Sequence, residues 1–181
     1  MVISRVWAMP NKWTFKIPPI AELLTRTCGN GRGWADPFAG KSTFAEFRND
    51  LNPAHEQPSQ KEAADFLAQF TDASLKGVIF DPPYSPTQVR RAYDEMGYRF
   101  KGKDDPTGGF RRVRDHIARI LPAGAICVSF GWNTVGMGIK RGFAINEILI
   151  VSHGGNRNDT LCTVEHRSLP KWLTATNASN R

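Results

Sequence analysis

The sequence has few cysteines and no long hydrophobic run. Its three cysteines lie far apart with no C-x-x-C pair, which excludes a disulfide framework or a zinc knuckle. No segment approaches the roughly 18 consecutive apolar residues of a membrane span, and the N-terminus lacks the features of a secretory signal. The four histidines show no metal-ligand spacing. We therefore expect a cytoplasmic protein with reduced thiols, no membrane association and no metal site.

Internal repeats, low-complexity tracts and long linkers are also missing, so the sequence predicts one domain over residues 1–181. With 40% apolar and 23% charged residues, the chain can bury a core. Residues 85–119 hold nine basic and five acidic side chains, a surplus of four in a chain of net charge +7. This concentration predicts an anionic partner, with nucleic acid as the first candidate. A surplus that serves only solubility is the alternative.

Short apolar runs alternate with helical patterns along the chain. The first three predicted strands are 34–36, 75–80 and 123–130, and the predicted helices are 17–28, 60–70 and 111–120. Two more strands, 145–153 and 160–166, flank the turn sequence Gly-Gly-Asn-Arg-Asn-Asp. The pattern predicts an α/β fold, with a single doubly wound, mostly parallel Rossmann-like sheet that ends in a C-terminal antiparallel β-hairpin.

The tetrapeptide Asp81-Pro82-Pro83-Tyr84 directly follows a predicted buried strand, where ligands meet open α/β sheets. The carboxylate of Asp81 and the backbone carbonyl of Pro82 are both acceptors. They can take the two hydrogens of an exocyclic amine and let its lone pair localise. Tyr84 offers a flat face on which an unstacked base can rest. The motif therefore indicates amine methylation on a nucleobase, and an ordinary turn with a packed tyrosine is the alternative.

A second turn, residues 36–40 (Asp-Pro-Phe-Ala-Gly), follows the first of these strands, and Asp50 comes ten residues after it. An acid at a strand end suits a cofactor with an amino group, and a later acid suits ribose hydroxyls. Residues 35–42 also fit a relaxed phosphate loop of nucleotide hydrolases. That alternative is disfavoured because Pro37 lacks an N–H and Asp36 repels phosphate. Ten residues leave no room for a full helix and strand, so the first crossover is predicted to be truncated.

In this order the two turns resemble those of class I S-adenosylmethionine-dependent methyltransferases. More narrowly, the chain resembles small phage-type adenine-specific (N6) DNA methyltransferases with a DPPY motif, over about residues 7–167. The resemblance implies methyl transfer from S-adenosylmethionine to the N6 amine of a flipped-out adenine in DNA, yielding S-adenosylhomocysteine without a metal. It implies catalysis by Asp81, Pro82, Pro83 and Tyr84. It implies cofactor binding by Lys12, Thr14, Phe15, Asp36, Phe38, Ala39, Gly40, Asp50, Leu51, Asp65 and Phe66.

Three alternatives keep the fold and change the role. They are a ribosomal RNA guanine-N2 methyltransferase, an N4-cytosine methyltransferase, and a non-catalytic module that binds cofactor or nucleic acid. Since only residues 41–80 separate the two motifs, no separate target-recognition domain is expected. The predicted nucleic-acid contact is therefore a basic loop near 98–112, through Arg99, Lys101, Lys103, Arg111 and Arg112. If the chain is phage-encoded, we expect it in the bacterial host cytosol. A homodimer or protein partner and the recognition sequence stay open.

Overall fold

The computed structural model describes residues 1–97 and 106–168 (for 106–109, the backbone alone) and contains a seven-stranded sheet. The strands are β1 (Val2–Trp7), β2 (Trp34–Asp36), β3 (Phe47–Arg48), β4 (Gly77–Phe80), β5 (Ile126–Gly131), β6 (Phe143–Ser152) and β7 (Thr160–Arg167). The α-helices are α1 (Pro18–Cys28), α2 (Ala63–Ala68), α3 (Pro86–Glu95) and α4 (Pro106–Ile120). Among the described residues, no helix combines the length and the hydrophobicity that crossing a bilayer requires.

The strand order in the sheet is β1-β6-β7-β5-β4-β2-β3. Strand β7 runs antiparallel to both β5 and β6, whereas the other neighbouring pairs are parallel. The predicted α/β sheet with a C-terminal antiparallel hairpin is therefore confirmed. Because β2, β4 and β5 are parallel, the segments that follow them lie at one edge of the sheet. The turn after Asp36 and the tetrapeptide after Phe80 are both at that edge.

The sheet is covered on both faces, as a mostly parallel sheet requires. Successive residues of β4 show this, because side chains along a strand alternate between the two faces. Ile79 packs into a cluster with the buried residues of α1, whereas Val78 and Phe80 pack into a cluster with those of α2 and α4. All three are at most 1% exposed. The tetrapeptide that begins at Asp81 is thus anchored by a strand that is buried on both faces.

Several elements differ from the sequence-based expectations. The helix predicted at 60–70 covers only α2, because the backbone N–H of Lys61 donates to the side chain of Asn49 instead of entering a helix. Helix α4 begins five residues before its predicted start at Arg111, since Gly108 and Gly109 weaken the helical signal. Strand β1 and helix α3 were not predicted. The expected truncated crossover is confirmed, because no α-helix connects β2 to β3.

Candidate functional site

A cavity of about 900 Å³ opens beside the segments that follow β2 and β4. This volume lies near the upper end of the roughly 300–1,000 Å³ typical of small-molecule sites. Its lining brings together many of the residues singled out from the sequence: Lys12, Thr14, Phe38, Asp50, Leu51, Asp65, Asp81, Pro82, Pro83, Tyr84 and Arg112. The two turns therefore contribute to one cavity although 40 residues separate them.

Other residues singled out from the sequence do not line this cavity. They are Phe15, Asp36, Ala39, Gly40, Phe66 and Arg111. Phe15 packs in one hydrophobic cluster and Phe66 in the other. Arg111 is exposed on α4. The remaining members of the basic loop, Arg99, Lys101 and Lys103, lie outside the described residues.

Asp36 ends β2 as a completely buried acid. Its Oδ1 accepts a hydrogen bond from the backbone N–H of Phe38 at 3.0 Å, but its Oδ2 has no hydrogen-bond partner among the described residues. Burial raises the pKa of this carboxyl well above its usual range, and the nearby charge of Asp81 adds to the effect. An orphaned buried acid is costly. The next residue, Pro37, lines the cavity, so this buried acid is adjacent to the cavity wall.

The side chain of Asp50 is hydrogen-bonded to the turn 36–40. Its Oδ2 accepts from the backbone N–H of Gly40 at 2.8 Å, and its Oδ1 lies 2.9 Å from Nδ1 of His55. The side-chain amide of Gln57 donates to the carbonyl oxygen of Gly40 at 2.8 Å. Asn49 likewise donates to the carbonyl oxygen of Pro37 at 3.1 Å. These side chains hold the turn in place where a crossover helix would otherwise pack.

Asp81 and Tyr84 form the polar centre of the cavity. The hydroxyl of Tyr84 donates a hydrogen bond to Oδ1 of Asp81. Burial raises the pKa of Asp81 to about 6, and hydrogen bonds with Tyr84 and Thr14 keep it from rising further. The pKa of Asp81 thus lies closer to neutrality than that of an ordinary aspartate. A partly desolvated carboxylate with a raised pKa is the kind of acceptor found at reactive centres.

The tetrapeptide is also fixed by the helix that follows it. Ser85 caps α3 by accepting a hydrogen bond from the backbone N–H of Gln88 at 3.2 Å. The side chain of Gln88 in turn accepts from the backbone N–H of Tyr84. Pro86 occupies the first turn of the helix, where its missing N–H is harmless. These contacts leave the carbonyl and carboxylate of the tetrapeptide little freedom to move.

Trp132, a residue that the sequence analysis missed as part of the site, lies directly after β5. Its ring centre is 5.8 Å from that of Tyr84, and the two ring planes are inclined by 67°. The segment that carries it is held by buried Glu165, which accepts from the backbone N–H of Met137 at 2.8 Å. A Cβ on Gly136 would lie 2.2 Å from this carboxylate. The signal was available, because Trp132 follows the strand next to β4.

No protein-family model matches the sequence. No curated protein matches it either. The structure is similar to TrmN from Thermus thermophilus (TM-score 0.52, 15% identity, 83% of this chain and 49% of TrmN). It is also similar to PH0851 (TM-score 0.54, 9% identity, 80% of this chain and 45% of PH0851). A Haemophilus influenzae protein described as a methylase matches with TM-score 0.48 and 12% identity, over 84% of this chain and 98% of that protein.

The likenesses to TrmN and PH0851 show the fold. The chain spans about half the length of TrmN and of PH0851. At 15% and 9% identity, a shared architecture says nothing about shared substrates. The chemistry of this chain therefore has to be inferred from its own cavity.

Proposed function

We propose that the protein transfers a methyl group from S-adenosylmethionine to the N6 amine of adenine in DNA. The observation that carries this proposal is the placement of Asp81, a half-buried carboxylate held by Tyr84, in a cavity beside the orphaned acid Asp36. Asp81 suits the amine of the base that must react, and Asp36 suits the amino group of the cofactor that must be bound. The resemblance of both turns to those of adenine-specific DNA methyltransferases supports the choice of adenine.

The residues present fit the proposed cofactor. The unpaired oxygen of Asp36 would accept a hydrogen bond from its amino group, while Asp50, Leu51 and Asp65, which line the cavity, would contact its nucleoside. When bound, S-adenosylmethionine supplies an electrophilic methyl group. Because Asp50 already supports Gly40, its carboxylate would accept ribose hydroxyls in a fixed orientation.

Hydrogen-bond acceptors on the protein would be enough to activate the reacting amine. Adenine N6 is a poor nucleophile because its lone pair is delocalised into the ring. Hydrogen bonds from its two N–H groups to Asp81 and to the carbonyl of Pro82 favour the localised lone pair, and they strengthen as positive charge develops on nitrogen. Tyr84 and Trp132 offer aromatic surface for a flipped-out base. Arg111 and Arg112 are exposed on α4 and would contact the phosphate backbone.

The product of methyl transfer tests the proposal. The protein is incubated with isotope-labelled S-adenosylmethionine and either unmethylated DNA or unmethylated ribosomal RNA, and the nucleic acid is digested to nucleosides and resolved by mass. We expect label in N6-methyldeoxyadenosine, and none with the Asp81→Ala variant. Label in N2-methylguanosine or N4-methyldeoxycytidine would correct the substrate. Binding of S-adenosylmethionine with no label in any nucleoside would instead indicate a non-catalytic binding module.

The rate of methyl transfer is expected to depend on pH through Asp81. Below its pKa of about 6 the carboxyl carries a proton, so it no longer accepts from the amine. The single-turnover rate should therefore rise about tenfold per pH unit below 6 and level off above it. Single-turnover kinetics between pH 5 and 8 measure this. A rate that is flat across that range would show that the ionisation of Asp81 does not matter.

A further inference from the structure

A second, smaller cavity adjoins the first. Its volume is about 230 Å³, and the two share the walls formed by Pro82, Pro83 and Tyr84. Sites for drug-sized molecules run to roughly 300–1,000 Å³, so the smaller cavity suits one planar ring system rather than a whole nucleotide. Trp132, 40% exposed, also lines it. Asp81 lines only the larger cavity, whereas Pro82 and Tyr84 line both, so a base in the smaller cavity would present its amine at the boundary between the two.

The same cavity is lined by Arg114, a half-buried cation on α4. Its Nε donates to the carbonyl oxygen of Gly136 at 3.1 Å, and its guanidinium lies 5.2 Å from the ring centre of Phe80. No other hydrogen bond and no ion pair of Arg114 occurs within residues 1–97 and 106–168. One edge of the guanidinium is thus fixed, while both Nη groups remain available as donors.

The electrostatic surroundings of Arg114 are unfavourable for an arginine. Burial lowers the pKa of its guanidinium, and the neighbouring charge of Arg141 lowers it further. Glu165 acts on it only through space, because the carboxylate of Glu165 is occupied by Ser129 and by the segment after β5. A desolvated cation without a contacting acid is costly. A ligand with acceptor atoms would repay that cost.

We infer that Arg114 is a specificity-determining residue that donates a hydrogen bond to a ring nitrogen of the target base. The inference rests on the proposed function, since it assumes that the base whose amine meets Asp81 occupies the smaller cavity. The guanidinium, fixed through Gly136 and Phe80, then reads the edge of the base beside the reacting amine.

The chemistry of the bases explains why an arginine suits adenine. Arginine donates and never accepts. In adenine the ring nitrogens on both sides of N6, N1 and N7, are acceptors. The amine of guanine has an N–H donor on one side, and the amine of cytosine has a C–H there. A donor placed on either side of the amine thus finds an acceptor in adenine. In guanine or cytosine it finds an acceptor on one side of the amine only.

The test compares oligonucleotides with adenine, 7-deazaadenine or 1-deazaadenine at the methylated position. We expect the wild-type protein to lose about 10- to 100-fold in kcat/KM on one of the two analogues, which identifies the nitrogen that accepts. On adenine, the kcat/KM of Arg114→Met should fall by a similar factor. On the sensitive analogue its kcat/KM should be no lower than on adenine, because the variant no longer has the donor that the missing nitrogen would accept from. Arg157→Met, the same charge loss on an exposed turn, should keep the wild-type pattern.

Each other outcome overturns the inference. Equal rates of the wild-type protein on all three substrates, a measurement that needs no variant, would show that neither ring nitrogen is read. Discrimination that persists in Arg114→Met would assign the reading to another residue. A uniform loss of DNA affinity with a smaller salt dependence would place Arg114 on a phosphate. No methylation of adenine by the wild-type protein would defeat the proposed function and this inference together, whereas the other results leave the proposed function intact.

Discussion

Replacing Asp81 with alanine is expected to slow methyl transfer on the order of 1,000-fold or more while leaving the affinity for S-adenosylmethionine nearly unchanged. The variant removes an acceptor that the amine needs as it becomes a nucleophile. Cofactor binding should survive because the amino group is assigned to Asp36 and the ribose to Asp50. Single-turnover kinetics give the loss of rate, and calorimetry gives the cofactor affinity. Loss of cofactor binding in this variant would show that Asp81 is structural.

The matched control is Tyr84→Phe. It removes the hydroxyl that donates to Asp81 but keeps the carboxylate and the aromatic ring. Because that hydrogen bond lowers the pKa of Asp81, its loss should move the inflection in the pH–rate profile to higher pH. At pH 8 the variant should retain most of its rate, since Asp81 is then ionised. A loss as large as that of Asp81→Ala at this pH would assign the main catalytic effect to the hydroxyl.

Gly31→Ala is expected to lower the free energy of unfolding by about 3 kcal/mol or more. Gly31 lies between α1 and β2 with a φ of +72°, and a Cβ there would be 1.9 Å from the carbonyl oxygen of Phe44. That carbonyl is backbone, so two chain segments must separate to admit a methyl group. The loss is a large share of the roughly 5–15 kcal/mol that stabilises a domain. Urea denaturation measures it.

Gly29→Ala separates the two causes of this loss. Gly29 also has a positive φ, +58°, but a Cβ there would meet nothing within 4 Å. It should therefore cost only the backbone strain of an alanine at this positive φ, roughly 1–3 kcal/mol. Equal losses for the two variants would mean that backbone strain, and not the contact with Phe44, decides the stability at Gly31.

The sequence predicted best those elements whose signal is local. Strand β2 was predicted at its observed limits because Trp34 follows a glycine cluster and Asp36 precedes a proline. Helix α3 was missed because Val89 is its one buried residue, so it shows no apolar stripe. Its start signal, Ser85 followed by Pro86, was present but unsupported by periodicity. Capping residues and prolines mark where a helix or strand begins. The spacing of apolar residues becomes visible only where the element buries several of them.

The candidate site shows the same division. Asp81 and Tyr84 were found because they belong to one short motif after a buried strand. The position of Trp132 directly after β5 was a usable signal. Arg114 was missed because α4 and the segment after β4 come together only in the folded structure. No spacing in the sequence records that convergence. The orphaned oxygen of Asp36 is likewise a property of burial, which the residue type alone does not reveal.

Strand β1 has a consequence for how the chain folds during synthesis. It pairs in parallel with β6, from Val2 beside Glu147 to Trp7 beside Ser152, so about 145 residues must be translated before its partner exists. At roughly 5–20 residues per second, that interval is about 7–30 seconds. Val2, Ile3 and Trp7 remain 63%, 59% and 65% exposed even in the finished sheet. Between its own synthesis and that of β6, strand β1 thus has no partner strand, and these apolar side chains stay exposed to solvent.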